Sequence, residues 1–245
     1  MSALGLFAPR RLSRLVAGDA MNIARDPMLL FAAAMSLTPA LAVHFARAPL
    51  DAAALAAFGV ADITSFIVPV MLLLPATLIG WVTGFLLLED RDEGTLLALD
   101  VTPVGKSGFL LYRVGVTATL AAALTLYAWP LVIPEAPFGL AVTLALVVGA
   151  NAIVFAVALP AIARNKVEGL ALTKLTNLLA VVPLLAAIPS PWRYLGGIVP
   201  SYWVGELLGL TPVVPAGPWL AAVLALATAA AAIAALMHLL SRRAG

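Results

Sequence analysis

Five of the twelve carboxylates in this 245-residue chain fall within one short stretch: Glu89, Asp90, Asp92, Glu93 and Asp100, with Arg91 among them. Carboxylates packed this densely suit either a divalent cation or a basic protein surface. A hard cation needs several oxygens converging on one point. Consecutive helical residues point in different directions and no regular ligand spacing is present, so no metal is expected here. A basic partner needs only a dense negative patch. Immediately afterwards Gly94 precedes Thr95-Leu96-Leu97-Ala98-Leu99, enough for one or two helical turns, and Thr102-Pro103 closes the stretch. Long apolar segments lie on both sides, so the run is a short excursion into water. A small, partly apolar helix beside an acidic cluster makes a docking knob for a soluble partner.

The other reactive residue types lack the company that chemistry requires. His44 and His238 stand at the ends of apolar segments, neither belongs to an HExxH helix, and no serine sits in a GxSxG setting. Gly105-Lys106-Ser107 looks like the end of a phosphate loop, but that pattern demands a glycine five positions before Gly105, where Asp100 stands. The centres of the apolar segments carry no ionisable side chain, although proton relays and intramembrane proteases need one at depth. Cysteine is absent, which removes thiolate metal sites and disulfides. The chain is therefore expected to be no enzyme and to bind no cofactor of its own. Mild polar residues remain, Thr77, Thr83, Thr117 and Asn151 among them, and singly these serve helix–helix hydrogen bonds. Gly80 and Gly84 form a Gly-x-x-x-Gly pair that lets two helices approach closely.

Composition says what must carry these residues. Hydrophobic residues make up 63% of the chain and charged residues 11%, with a mean hydropathy of +1.08; soluble domains average about 45–50% and about 25%. Apolar runs of about 20 residues recur, the length that crosses a hydrocarbon core of roughly 30 Å. Barrel strands are only about 10 residues long and alternate in polarity, so the class is an all-α polytopic membrane protein. Six spans are expected at residues 28–45, 63–88, 109–133, 140–162, 169–188 and 219–240, with an Ala-rich link over 51–62. Ahead of them, residues 10–26 put Leu12, Leu15, Val16, Ala20 and Ile23 on one face and Arg11, Arg14, Asn22 and Arg25 on the other, the pattern of a helix lying in the membrane interface. That lead is too long and too amphipathic for a signal peptide. Residues 189–218 are apolar and aromatic but broken by prolines and glycines. They read as a re-entrant or interfacial hairpin with Trp192, Tyr194, Tyr202 and Trp203 at headgroup level.

Lysine and arginine supply the orientation. With the N-terminus inside, Arg10, Arg11, Arg14, Arg25, Arg91, Lys106, Arg113, Arg164, Lys166, Lys174, Arg242 and Arg243 fall on the cytoplasmic side, and Arg47 and Arg193 fall outside. Twelve against two obeys the positive-inside rule, so both termini and the acidic knob are expected in the cytoplasm. Bases scattered at span ends also account for the pI near 9.2 without a nucleic-acid partner.

These residues also match a known pattern. Leu88-Glu89-Asp90-Arg91-Asp92-Glu93-Gly94-Thr95-Leu96, continued by Thr102-Pro103, resembles the E-x-R-x-x-G-T-L…TP signature of ABC-2 type permeases, the membrane subunits of ABC exporters. The amphipathic start ending in Arg25-Asp26-Pro27 resembles their elbow helix, and the interrupted hairpin resembles their external element. Within that family, Asn165-Lys166-Val167-Glu168-Gly169 and Ile198-Val199-Pro200-Ser201-Tyr202-Trp203 resemble actinobacterial fluoroquinolone-export permeases.

In topology the resemblance covers essentially the whole chain. It implies one transmembrane domain over residues 1–245: elbow helix 10–26, spans 1–2 at 28–88, a cytoplasmic coupling loop at 89–103 with a short coupling helix, spans 3–5 at 109–188, the external hairpin 189–218 and span 6 at 219–240. It also implies an ATP-driven exporter in the bacterial cell membrane. Two permease copies, identical or not, would pair in the bilayer above separate ATPase chains that carry ATP and Mg. The coupling surface would be Glu89, Asp90, Asp92, Glu93, Gly94, Thr95, Leu96, Leu99, Thr102 and Pro103. A hydrophobic or amphiphilic small molecule, such as a fluoroquinolone, would pass Thr77, Trp81, Thr173, Thr176 and Asn177. On the residues alone, a nucleotide-independent carrier or channel, or a membrane scaffold subunit, is the alternative.

The orientation is open to a direct test. An accessibility tag at Asp51 is expected to label from outside intact cells, and one at Asp92 only after permeabilisation. The reverse pattern would invert the topology.

Overall fold

Backbone N–H and C=O groups cannot stay unpaired in lipid, so a spanning chain must close its hydrogen bonds within helices. The computed structural model describes residues 27–94, 105–210 and 217–244, and these are helical with short connections. Helix α1 runs Pro27–Phe58, α2 Thr64–Asp92, α3 Gly105–Val132 and α4 Phe138–Ile162. Helix α5, Lys166–Thr176, continues into 3-10 turns at Asn177–Ala180 and Val182–Ala187. A further 3-10 segment, Pro191–Ile198, leads to α6, Tyr202–Leu207, and α7 closes the fold over Pro218–Ala244. Six stretches are long and apolar enough to cross a membrane, one for each expected span. This is a multi-pass membrane protein. The interfacial helix read over residues 10–26 and the short helix within 95–102 lie outside the described residues.

Helix α4 is the hub. Most of its side chains are buried, and it packs against α2, α3 and α7. Helix α2 runs parallel to it. Gly80 faces Ala152 and Phe155, Gly84 faces Ala156 and Leu159, and Leu88 packs on Leu159. A Cβ on Gly80 would stand 2.7 Å from the Phe155 Cβ and 2.8 Å from the Ala152 carbonyl oxygen. The two backbones therefore touch, as the Gly-x-x-x-Gly pair requires. On the other flank Gly149 of α4 meets the Ala118 carbonyl of α3, while Ala221, Ala222, Ala225 and Ala229 are buried small residues of α7. Thr83 and Thr117 share a hydrogen bond of 2.8 Å between α2 and α3.

The structure departs from the expected elements in three places. First, α1 does not stop near residue 45 but continues through Pro49 to Phe58 and takes up most of the 51–62 link. At about 1.5 Å per residue it exceeds the bilayer core. His44 accordingly sits midway along α1, yet its Nδ1 donates to the Leu131 carbonyl at 3.0 Å. That oxygen belongs to the last turn of α3, where carbonyls lack helical partners, so His44 is level with the end of α3 and the rest of α1 projects beyond it. Gly59, at φ +71°, ends the helix. Asp51 and Asp62 then accept the backbone N–H groups of Thr64 and Ser65 at the start of α2. The Ser65 hydroxyl, first among several donors, holds the Asp62 carboxyl below its ordinary pKa.

Second, α2 carries the acidic run as its own last turn, ending at Gly94 with φ +73°. Third, the fifth span is a regular α-helix only as far as Thr176, after which Asn177 and Pro183 fall in tighter 3-10 turns.

The contact between α2 and α4 leaves no room for a Cβ at Gly80. Gly80→Val is expected to destabilise the protein by about 1–3 kcal/mol or more, the usual cost of overpacking, read as a lower melting temperature in mild detergent. Gly115→Ala is the control, because a Cβ there meets no atom within 4 Å. Equal melting of both variants would mean that Gly80 does not face α4.

Candidate functional site

The acidic residues at the end of α2 are sorted by partner. Glu89 pairs with Lys166 at the start of α5, Oε1 to Nζ 2.5 Å, and Asp90 with Arg113 of α3 at 3.1 Å. Both carboxylates are thus tied to the protein's own cations. Asp92 and Glu93 are exposed; Asp92 lies 3.6 Å from the Arg91 Nε. Arg91 turns the other way and donates to the carbonyls of Pro160, Ala163 and Arg164 at 3.0, 3.1 and 2.8 Å. Those oxygens stand at the C-terminal end of α4, where unpaired carbonyls and the helix dipole both favour a cation. Asn165 then caps α5 by accepting from the Glu168 N–H, and Glu168 accepts from the Arg164 N–H. The ends of α2, α4 and α5 are therefore locked as one unit beside Gly94. Of the expected coupling residues, Thr95, Leu96, Leu99, Thr102 and Pro103 lie outside the described residues.

The five path candidates divide similarly. Trp81 of α2 donates its Nε1–H to the Thr176 hydroxyl at 3.0 Å, joining α2 to the point where α5 loses regular form. Trp81 also meets Phe155 edge-on, with ring centroids 6.4 Å apart. Asn177, next to Thr176, is exposed. Thr77 and Thr173 are buried and their hydroxyls are spent on the Leu74 and Leu170 carbonyls. Trp81, Thr176 and Asn177 thus form one neighbourhood, and Thr77 and Thr173 stand behind it as packing residues. Beyond it Leu170, Leu175, Leu178, Val181, Leu185 and Ile188 make an exposed apolar stripe along α5 and its 3-10 continuation.

At the far end of the bundle the structure holds an ion pair that sequence reasoning missed. Arg193 and Glu206 are 3.1 Å apart, Nε to Oε1, with side chains only 3% and 4% exposed. Tyr202 donates to the same carboxylate at 2.5 Å, and Arg193 reaches the Tyr194 hydroxyl at 3.1 Å. Burial, reinforced by Glu206, pushes the Tyr202 phenol well up, so it stays a donor. Burial opposes the charge on Arg193, but Tyr194 and Glu206 outweigh it and its pKa is raised. Trp203 donates to the Gly197 carbonyl at 3.0 Å, and Ser201 to the Leu179 carbonyl at 2.6 Å.

The expected ring of headgroup aromatics is corrected accordingly. Trp192 and Tyr194 are exposed, but Tyr202 and Trp203 are core residues, because they fasten α6 against the 3-10 segments. The i, i+4 spacing of Tyr202 and Glu206 was the one local signal of this network. Nothing local joins Arg193 to Glu206.

Comparison with known proteins bears on what this architecture is for. Residues 19–240 match the family described as Fluoroquinolones export permease protein Rv2686c-like. The chain belongs to this family. Two relatives from Mycobacterium tuberculosis are the fluoroquinolones export permease proteins Rv2686c, of strain ATCC 25618 / H37Rv, and MT2760, of strain CDC 1551 / Oshkosh. Each is 33% identical to this chain, with 82% of both chains covered. No solved structure matches the chain. The family match takes in both the acidic end of α2 and the buried Arg193–Glu206 pair.

The buried pair makes an asymmetric prediction. Removing one partner leaves the other charged and unpaired, which typically costs about 3–5 kcal/mol, whereas replacing both with apolar groups is close to neutral. Glu206→Leu is expected to lower the melting temperature strongly, and Arg193→Met with Glu206→Leu to recover most of the loss. A double variant as unstable as the single one would show that the pair is not coupled.

Proposed function

We propose that this chain is the membrane-spanning permease subunit of an ATP-driven ABC exporter, carrying a hydrophobic or amphiphilic small molecule of the fluoroquinolone kind out of the cell. Membership of the fluoroquinolones export permease family is the observation that carries the reading. The arrangement of the acidic end gives it a mechanism. Glu89, Asp90 and Arg91 bind α2 to α3, α4 and α5, so a push on the segment after Gly94 is delivered to all four helices together. Asp92 and Glu93 remain exposed for the basic residues of an ATPase chain, with Leu96 and Leu99 as its apolar seat. ATP and Mg belong to that partner. A coupling element must make different contacts in its two states to shift the equilibrium between them. A unit tied together in this way passes such a change from the partner on to the spans.

A second permease copy, in a homo- or heterodimer, covers the exposed stripe of α5. The cargo then passes between the copies, beside Trp81, Thr176 and Asn177, with Thr77 and Thr173 behind them. The orientation follows the distribution of Lys and Arg: acidic end and both termini in the cytoplasm, the Arg193–Glu206 end outside, in the bacterial cell membrane.

The test is co-purification from mild detergent with mass spectrometry of the partners. An ATPase subunit is expected in roughly equal amount. It should be lost from Leu96→Asp with Leu99→Asp, since unpaired charge would replace the apolar seat. A chain that purifies alone, or unaltered ATPase recovery with the double variant, would return the nucleotide-independent carrier or scaffold to first place.

A further inference from the structure

One cation stands inside a span. Lys174 is the ninth of the 22 residues of the span Lys166–Ala187. Two bonds fix its depth: Lys166 meets Glu89 at the acidic end, and Thr176 meets the Trp81 indole within the bundle. Lys174 is eight residues, about 12 Å of helix, above Lys166. A four-carbon stem covers only part of that distance back to water. The side chain is exposed, and among the described residues its ammonium makes no ion pair or hydrogen bond. At helical spacing it shares a face with Leu170, Asn177 and Leu178, all of them exposed. Thr176 points the other way, towards Trp81. The Lys174 face therefore belongs to the stripe assigned above to the second copy and the cargo.

A cation at such depth is costly, and residues of this kind pair with an opposite charge or mark the route of a substrate. The described part of the chain offers no such partner. Asp51, Asp62 and Glu135 stand at the outer end, and Glu206 is closed in with Arg193. The acidic run lies at the level of Lys166, and Glu168, about 9 Å of helix below Lys174, accepts from the Arg164 N–H. The segments outside the described residues attach at helix ends. A second copy in the same orientation, related by a two-fold axis along the membrane normal, brings residues of equal depth together. It faces Lys174 with another Lys174 at that level, and not with a described carboxylate. The missing counter-charge is left for the cargo to bring.

We propose that Lys174 determines specificity, by recognising the carboxylate of a small amphiphilic cargo whose apolar body lies on Leu170 and Leu178. An ammonium gives a carboxylate a charge-assisted hydrogen bond, and the Asn177 amide, one turn further on, offers a second donor. A neutral molecule would leave the cation unmatched. The proposal rests on the reading of this face as the cargo's path, and does not require the ATPase.

The full-length chain in phosphatidylcholine nanodiscs is dialysed against a fluoroquinolone carboxylic acid and, separately, against its methyl ester, with empty nanodiscs to subtract partition into lipid. The acid is expected to bind at least about tenfold more tightly than the ester, the scale of one charge-assisted hydrogen bond. Lys174→Gln should bring the acid down to the level of the ester, and Lys174→Arg should restore the preference. Equal affinity of the two compounds for the unaltered chain, or a preference that survives Lys174→Gln, would overturn the proposal. So would an equal loss of both compounds in Lys174→Gln, which would mark a structural role. Acid-selective binding lost in Lys174→Gln by a chain that never co-purifies with an ATPase would support this assignment and overturn only the ATP-driven part of the transport reading.

Discussion

Where Gly80 and Gly84 of α2 cross Ala152 and Ala156 of α4, the backbones lie closer than any larger side chain permits, and the rest of the bundle is arranged about that contact. Lipid offers no hydrophobic drive for helices to associate, so packing and a few hydrogen bonds must hold them together. Small residues meet that demand by bringing long stretches of backbone into van der Waals range. The same device recurs at Gly149 against Ala118 and in the buried alanines of α7. With α4 fixed at the centre, α2, α3 and α7 take their places around it, and α1 and α5 pack outside.

The two ends of the bundle use charge differently. At the acidic end the pairs are partly exposed, as between Lys166 and Glu89, and such pairs add little to stability because water screens them. Their value lies in connection, because they join α2 to α3 and α5 while Arg91 closes the end of α4. At the far end Arg193 and Glu206 are shut away from solvent with Tyr202 and Tyr194. A buried pair adds little net stability but punishes misassembly heavily. It suits a segment of short 3-10 turns that has no long helix to hold it in place.

Much of this was legible in the residues. The six apolar runs, the Gly-x-x-x-Gly contact and the irregular segment before the last span are each set by local composition or spacing, and each recurs in the structure. The acidic cluster was legible as a cluster but not as a set of partners, since Lys166 is 77 residues from Glu89 and Arg113 is 23 from Asp90. The reach of α1 was misjudged because Pro49 and a run of alanines look like a link. A helix with neighbours can carry a proline when other groups satisfy the freed carbonyls. Tyr202 and Trp203 were misplaced because aromatic residues suit both headgroups and cores, and composition does not choose between them.

By itself the sequence determined the class, the number of spans, the charge asymmetry and the resemblance to drug-export permeases. Those depend on hydropathy, spacing and motif, which are properties of neighbouring residues. Only the tertiary structure decided that Arg193 finds Glu206 and that Trp81 of α2 meets the Thr176 hydroxyl where α5 loses regular form. These depend on which helix faces meet across the bundle. Helices of nearly uniform apolarity carry almost no periodic signal of which face turns inward, so facing is settled by packing alone.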